Sequence, residues 1–199
     1  MNKSIAIIGA GGLGREIKAL LERDHNFAGF FDDKTTINPL LGKIEDISKE
    51  SRIDLLVGIG DPATKKIIVR QLQSKSLTYA NLVSKHSVID NGFFFGNGIV
   101  VCDGVMTTVD CKIGSHVLLN LNVTVGHDVV IGDFCSVMPG ANISGGVTIG
   151  EATLIGSGAV VLQGITIGSN VKVGAGAVVT KDVPDNTTVV GVPAQRLNN

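Results

Sequence analysis

Residues 111–156 read CKIGSHVLLNLNVTVGHDVVIGDFCSVMPGANISGGVTIGEATLIG, and a six-residue beat runs through them. Ile113, Leu119, Val125, Ile131, Val137, Ile143, Ile149 and Ile155 fall on every sixth place. The same frame extends without a slip back through Thr107, Val101 and Phe95 to Ile89, and on through Val161, Ile167 and Val173 to Val179. Thr107 alone breaks the apolar series. Two places before most beats stands a small or branched residue, as at Cys111, Val117, Val123, Val129, Cys135 and Ala141. Glycine follows the beat at Gly114, Gly126, Gly132, Gly150, Gly156, Gly168 and Gly174.

This period fits neither an amphipathic helix nor the simple alternation of a strand. It fits a three-sided prism. Each face is a short parallel strand with one large inward residue, and each corner is a tight turn where glycine accepts the backbone angles. Three faces make a coil of about 18 residues, and stacked coils bury a continuous apolar column. A β-sandwich with glycine turns is the alternative, but it gives no reason for one frame to persist from Ile89 to Val179. The beat fails after Val179, where the next place falls on Asp185. Pro184 lacks a ladder donor, and Val189–Ala194 reads as a short strand laid over the open end as a cap.

Composition agrees with a narrow interior: 44% hydrophobic residues, 4% aromatic, 26 glycines and no tryptophan. A net charge of −1 gives no electrostatic case for nucleic acid or an anionic membrane. Cys102, Cys111 and Cys135 form no CxxC, so no metal site is expected. Cys111 and Cys135 occupy inward places and read as buried free thiols. The apolar run at the N-terminus is too short for a signal peptide, and no stretch is long enough to span a bilayer. A reduced cytoplasm is the expected compartment.

Residues 1–84 read differently. Strands at 4–8, 27–31, 54–59 and 77–83 alternate with helices at about 15–22 and 62–74, which implies a small parallel α/β sheet. Residues 85–199 form the repeat domain with its C-terminal cap. Gly9, Gly11 and Gly14 complete a GxGxxG between the first strand and helix, a pattern suited to anion binding at a helix N-terminus. Asp32 and Asp33 follow at the end of the second strand, where an acid can accept ribose or base hydrogen bonds. An NAD-dependent oxidoreductase is therefore an alternative, but a dinucleotide site needs two mononucleotide halves and only one is present. Half a site suits a mononucleotide or a nucleotide sugar. Asp61-Pro62 starts the second helix as N-cap and first helical residue, and capping explains Asp61 without a ligand.

Of the histidines, His116 and His127 lie in the repeat and miss both inward places, so both are expected to project from corners. Asp128 follows His127. A neutral imidazole can take a proton from an attacking amine or hydroxyl, with a carboxylate to hold its tautomer. Ser–His and Cys–His pairings are not evident, which favours direct transfer.

The motifs together carry a resemblance. Ile-Gly-Ala-Gly-Gly-Leu-Gly at 8–14, Phe-Asp-Asp at 31–33, Gly-Ile-Gly-Asp at 58–61, Gly-His-Asp at 126–128 and Gly-Val-Pro-Ala at 191–194 resemble the NeuD-like sugar O- and N-acetyltransferases. These belong to the hexapeptide-repeat left-handed β-helix superfamily, and include enzymes of the UDP-N-acetylbacillosamine and GDP-perosamine pathways. The resemblance covers essentially the whole chain. It implies a Rossmann-like half-domain followed by a left-handed parallel β-helix, acetyl-CoA as donor, a nucleotide-linked amino sugar as acceptor, and a homotrimer with sites between prisms. It puts the base on His127 with Asp128 beside it, and the acetyl-CoA and oxyanion contacts at Gly145 and Ser136. It puts the nucleotide on Gly11, Gly12, Leu13, Gly14, Asp32, Asp33, Gly58 and Gly60. Leu13 stands where some UDP-sugar members carry a polar residue, which leaves uracil and guanine both open. O-acetylation of a sugar such as sialic acid, and a non-catalytic β-helix scaffold, are the remaining alternatives.

Overall fold

A computed structural model describes residues 4–48, 53–90 and 94–197. The chain begins with β1 (Ile5–Ile8), α1 (Gly12–Leu21), β2 (Phe27–Phe31), β3 (Leu40–Gly42), β4 (Asp54–Val57) and α2 (Pro62–Leu72). The four strands form one parallel sheet in the order β3-β2-β1-β4. Each face of the sheet buries one helix. Ile17, Leu20 and Leu21 of α1 pack with Ile5, Ile7, Phe30 and Leu56, while Ile68 and Leu72 of α2 pack with Ala6, Ile8, Leu55 and Val57. Asp61 caps α2 as its sequence implies, accepting from the Thr64 N–H at 2.9 Å.

The rest is the prism. Its first face stacks Leu82–Val83, Val100–Val101, Leu118–Leu119, Ser136–Val137, Leu154–Ile155, Lys172–Val173 and Thr188–Val190. Its second runs from Met106–Thr107 through Thr124–Val125 and Asn142–Ile143 to Val178–Val179, and its third from Phe94–Phe95 through Val130–Ile131 to Thr166–Ile167. Coil-to-coil register is regular: Leu118 pairs with Ser136, Thr124 with Asn142 and Val130 with Thr148. The beat residues and those two before them form one buried column from Ile99 to Val189. Thr107 also faces inward, and its hydroxyl accepts from the Asp90 N–H at 3.4 Å. The inward thiols of Cys111 and Cys135 donate to the carbonyls of Gly126 and Gly150, each at 3.0 Å, and all three cysteines are free and buried.

The glycines after the beat have a different cause from the one expected. The left-handed turn residue lies three places after the beat, at Asp110, His116, Asn122, Asp128, Phe134, Gly140, Gly146 and Ala152 among others, with φ of 55° to 69°. Gly132 and Gly150 are instead crowded by the next coil: an added Cβ at Gly132 would meet the Glu151 backbone N at 2.8 Å, and at Gly150 the Ser169 N at 2.5 Å. Close stacking of coils, not the turn, excludes a side chain there.

Two boundaries differ from expectation. The stretch 77–83 does not complete the α/β sheet. Tyr79 makes only an isolated bridge to Leu55, and Leu82–Val83 opens the first prism face instead. At the other end, Thr188–Val190 does not lie across the opening as a lid. It adds one more parallel rung beside Lys172–Val173, and Gln195–Arg196 turns back antiparallel on it. The last coil is shorter, pairing Ile167 with Val183 and Val173 with Val189. Asp182 accepts from the Thr166 N–H at 2.8 Å in this shortened coil, and Asp185 accepts from the Ser169 N–H at 2.8 Å, as Asp133 does from Ser115 in a full-length coil.

The α/β domain covers the first face. Leu82, Val100, Cys102 and Leu118 join the core beneath α1. Arg23 pairs with Asp103 at 2.7 Å near one edge of this face, and Lys66 pairs with Glu151 at 3.0 Å near the other. Among the described residues no helix is long and apolar enough to cross a membrane.

Candidate functional site

The corner between the second and third faces carries His127 and Asp128. Gly126, His127 and Asp128 form it, and Asp128 takes the left-handed conformation with φ 58°. The backbone is pinned from both neighbouring coils: Asp128 N–H donates to Val109 O at 3.1 Å, and the His127 carbonyl accepts from Gly146 N–H at 2.7 Å. His127 Nδ1 lies 2.8 Å from Asp128 Oδ2, and both side chains are about two-thirds exposed. With Nδ1–H donating to the carboxylate, Nε2 carries the lone pair. Gly145 lies one coil away against this ring, and a Cβ there would meet His127 Cε1 at 2.6 Å. Among the described residues no acceptor faces the Gly145 N–H. A ring nitrogen and a backbone donor without an acceptor thus belong to two residues in contact on one edge, the kinds of group needed to accept a proton and to stabilise an oxyanion.

Ser136 does not join them. It is fully buried on the first face, where its hydroxyl accepts from Lys65 Nζ at 2.9 Å. His116 also departs from expectation. It does occupy a corner, but the α/β domain covers it, leaving it 7% exposed. Its ring stacks on Phe134 at 5.2 Å and meets Tyr79 edge-on at 4.6 Å. Burial, helped by the charge of Lys65, pushes its pKa down to about 4. Burial also pushes the Cys102 and Cys135 thiols up to about 12, so neither is a thiolate nucleophile near neutral pH.

A second site opens at the end of the parallel sheet. Gly9, Gly11, Gly12, Leu13, Asp32, Asp33, Gly58, Ile59, Gly60 and Thr64 are among the residues lining a cleft of about 520 Å³. This gathers the predicted nucleotide residues except Gly14, which is a packing glycine: a Cβ there would collide with the Gly9 carbonyl. Gly11 and Gly12 have open space above them, so the N-terminus of α1 stays accessible to an anion. Asp32 is already engaged. Its carboxylate accepts from Ala10 N–H at 2.8 Å, Lys34 N–H at 2.8 Å and Thr35 N–H at 3.1 Å. Burial pushes its pKa up, but these donors outweigh that and hold it below the usual value. Asp33 accepts from Ile44 N–H at 2.9 Å. Both aspartates therefore shape the cleft as well as line it.

Sequence reasoning missed Lys65. It is 2% exposed, and donates to His116 O at 2.9 Å, Cys135 O at 3.2 Å and Ser136 Oγ at 2.9 Å. The signal was its place on the buried stripe of α2, in step with Pro62, Ile68 and Leu72.

Comparison with known proteins places this geometry. Residues 4–72 match the family model "PglD N-terminal domain", and residues 146–181 match "Bacterial transferase hexapeptide (six repeats)". The acetyltransferase domain of PglB from Neisseria gonorrhoeae is similar at 31% identity, covering 98% of this chain and 100% of that one, with a TM-score of 0.92. That domain has also been solved in complex with acetyl coenzyme A. A histidine-to-asparagine mutant of perosamine N-acetyltransferase from Caulobacter crescentus, in complex with CoA and GDP-perosamine, is 30% identical over 98% of this chain and 97% of that one, with a TM-score of 0.92. WeeI from Acinetobacter baumannii is 31% identical over 98% of this chain and 100% of that one, with a TM-score of 0.87. With such likeness running from end to end, the chain belongs to the hexapeptide-repeat sugar acetyltransferases that carry a PglD-type N-terminal domain.

Proposed function

We propose that this chain transfers the acetyl group of acetyl-CoA to the amino group of a nucleotide-linked amino sugar. The observation that carries this reading is the exposed corner where the His127 ring, with Nδ1 held by Asp128, lies against Gly145, whose N–H meets no acceptor among the described residues. The sugar nitrogen attacks the thioester carbon. Nε2 takes the proton the nitrogen sheds, the Gly145 N–H donates to the developing oxyanion, and the C–S bond breaks to release the CoA thiolate, which is then protonated. The cleft at Gly11, Gly12, Leu13, Asp32, Asp33, Gly58 and Gly60 holds the nucleotide. Acetyl-CoA and nucleotide amino-sugar complexes of the relatives support both substrates.

The topology supports a homotrimer. The cleft sits in a domain that packs on the first prism face, whereas His127 stands on the edge between the other two faces. A sugar held in one copy's cleft is best placed to meet the His127 of a neighbour. Biosynthesis of a surface polysaccharide in the cytoplasm is the matching setting. The test is a thermal-shift panel of acetyl-CoA, UDP, GDP, CMP and NAD, since a ligand that binds the folded state raises its midpoint by mass action. Acetyl-CoA and one nucleoside diphosphate should raise it. A larger shift with NAD than with any of them would return the chain to the oxidoreductase reading.

A further inference from the structure

Lys65 has a position that the transfer chemistry does not use. It sits in the first turn of α2, where Asp61 caps the helix and Thr64, its immediate neighbour, lines the nucleotide cleft together with Ile68 one turn on. Its own side chain points away from the cleft, into the seam with the prism. There its ammonium spans three acceptors from two successive coils: the carbonyl of His116, and the carbonyl of Cys135 and hydroxyl of Ser136. None of the three is charged, and no carboxylate forms an ion pair with Lys65 among the described residues. Desolvation of an ammonium is expensive and three neutral oxygens offset it only in part. An apolar side chain on the same buried stripe would fill the seam without that penalty. What the ammonium adds is geometry, because a fixed trio of acceptors permits one placement of the helix turn, whereas apolar packing permits sliding.

We infer that Lys65 is a positioning residue that sets the nucleotide cleft at a fixed distance and angle from the prism, and so from the His127 edge where the sugar must react. The inference rests on the proposed acetyl transfer to a nucleotide-linked sugar. Ion pairs of Lys66 and Arg70 with Glu151 tie the same helix to the same prism edge, but they are partly exposed and screened by solvent. The buried trio is the rigid contact. Misplacing bound reactants by about 1 Å can cost on the order of 100-fold in rate, so loss of this contact should fall on turnover and spare the binding of either ligand alone.

The experiment is Lys65→Met in the full chain, with Ser136→Ala as the milder variant that removes one acceptor from the prism side. Binding of UDP and GDP is measured by calorimetry, acetyl transfer by steady-state kinetics, and backbone motion by amide hydrogen exchange. The expected result for Lys65→Met is a fall in kcat of ~10-fold or more, with the nucleotide Kd and the acetyl-CoA KM close to wild type. Exchange should quicken in the first turn of α2 and around Cys135. Ser136→Ala should shift kcat in the same direction by a smaller factor, and it decides the matter if Lys65→Met does not fold. Unchanged kcat in a folded variant overturns the inference. So does joint loss of kcat and nucleotide binding, which would make Lys65 a part of the cleft itself. If the wild type transfers acetyl to no nucleotide sugar, the proposed function fails, and hydrogen exchange alone then judges Lys65: unaltered exchange along the seam overturns its positioning role.

Discussion

His127 and Asp128 differ from the other corner residues by what they leave exposed. His127→Ala should lower kcat by about 10²–10⁴-fold, the usual contribution of a positioned base, with little change in either KM because the binding groups remain. Asp128→Asn should cost less, since it orients the ring without moving the proton. Steady-state kinetics check both, and near wild-type turnover in His127→Ala would remove His127 from the role. The exposed corner position of this pair was legible in the sequence because Gly-His-Asp falls at a defined place in the hexad frame. His116 was not. Its frame position is equally a corner, and only a separate domain folding over it makes it buried. That burial has a measurable consequence. With a folded pKa near 4 against an ordinary value of about 6.5, the unfolded chain binds a proton in this window that the folded chain refuses. Stability contributed by the neutral ring is therefore present above about pH 6.5 and is lost as pH falls towards 4, by up to ~3 kcal/mol. His116→Phe keeps the aromatic stack and removes the titration. Its urea midpoint should fall less between pH 7 and pH 4.5 than that of the wild type, and parallel declines would show that His116 is not the group responsible.

At the scale of the strand and corner, the repeat assigned the inward column correctly but gave one glycine class a wrong cause. Periodicity shows which places recur, not what stands above them in the next coil. The two classes make opposite predictions. At Gly132 an added Cβ meets backbone atoms of Gly150 and Glu151 at about 3 Å, and backbone cannot swing aside. Gly132→Ala should force the coils apart and destabilise the chain by at least 1–3 kcal/mol, the usual range for overpacking. Gly158 is left-handed with φ 65° and has nothing within 4 Å of a built Cβ. Asn122 and Asn170 already occupy equivalent turns, and asparagine tolerates this conformation better than most residues. Gly158→Asn should therefore shift the denaturation midpoint by less than Gly132→Ala. The reverse order would restore the turn as the reason for the glycines after the beat. The shortened last coil was illegible for a related reason: losing the frame at Asp185 shows that the repeat ends, but not that Asp182 would accept from the Thr166 N–H.

For the whole molecule, the sequence displayed the proposed nucleotide half-site and the proposed catalytic corner but not their separation, which depends on which prism face the first domain covers. The structure puts that domain on the first face and His127 on the edge opposite. If one copy's cleft serves a neighbour's base, two differently crippled chains can rescue each other. His127→Ala leaves the cleft whole. Gly12→Trp should block the cleft, because Gly12 lines it with open space above, while leaving His127 whole. Each variant alone should be nearly inactive. When the two are co-expressed and assemble at random, a site works only if its cleft comes from a His127→Ala chain and its base from a Gly12→Trp chain. In every mixed three-membered ring that condition is met at one junction, about a third of the sites between copies. Recovery of activity towards that fraction in the mixed oligomer, measured per chain after tandem-tag purification, is the expected result. Activity no higher than the sum of the two parents would mean that cleft and base act within a single chain, and the arrangement of sites between copies would have to be abandoned.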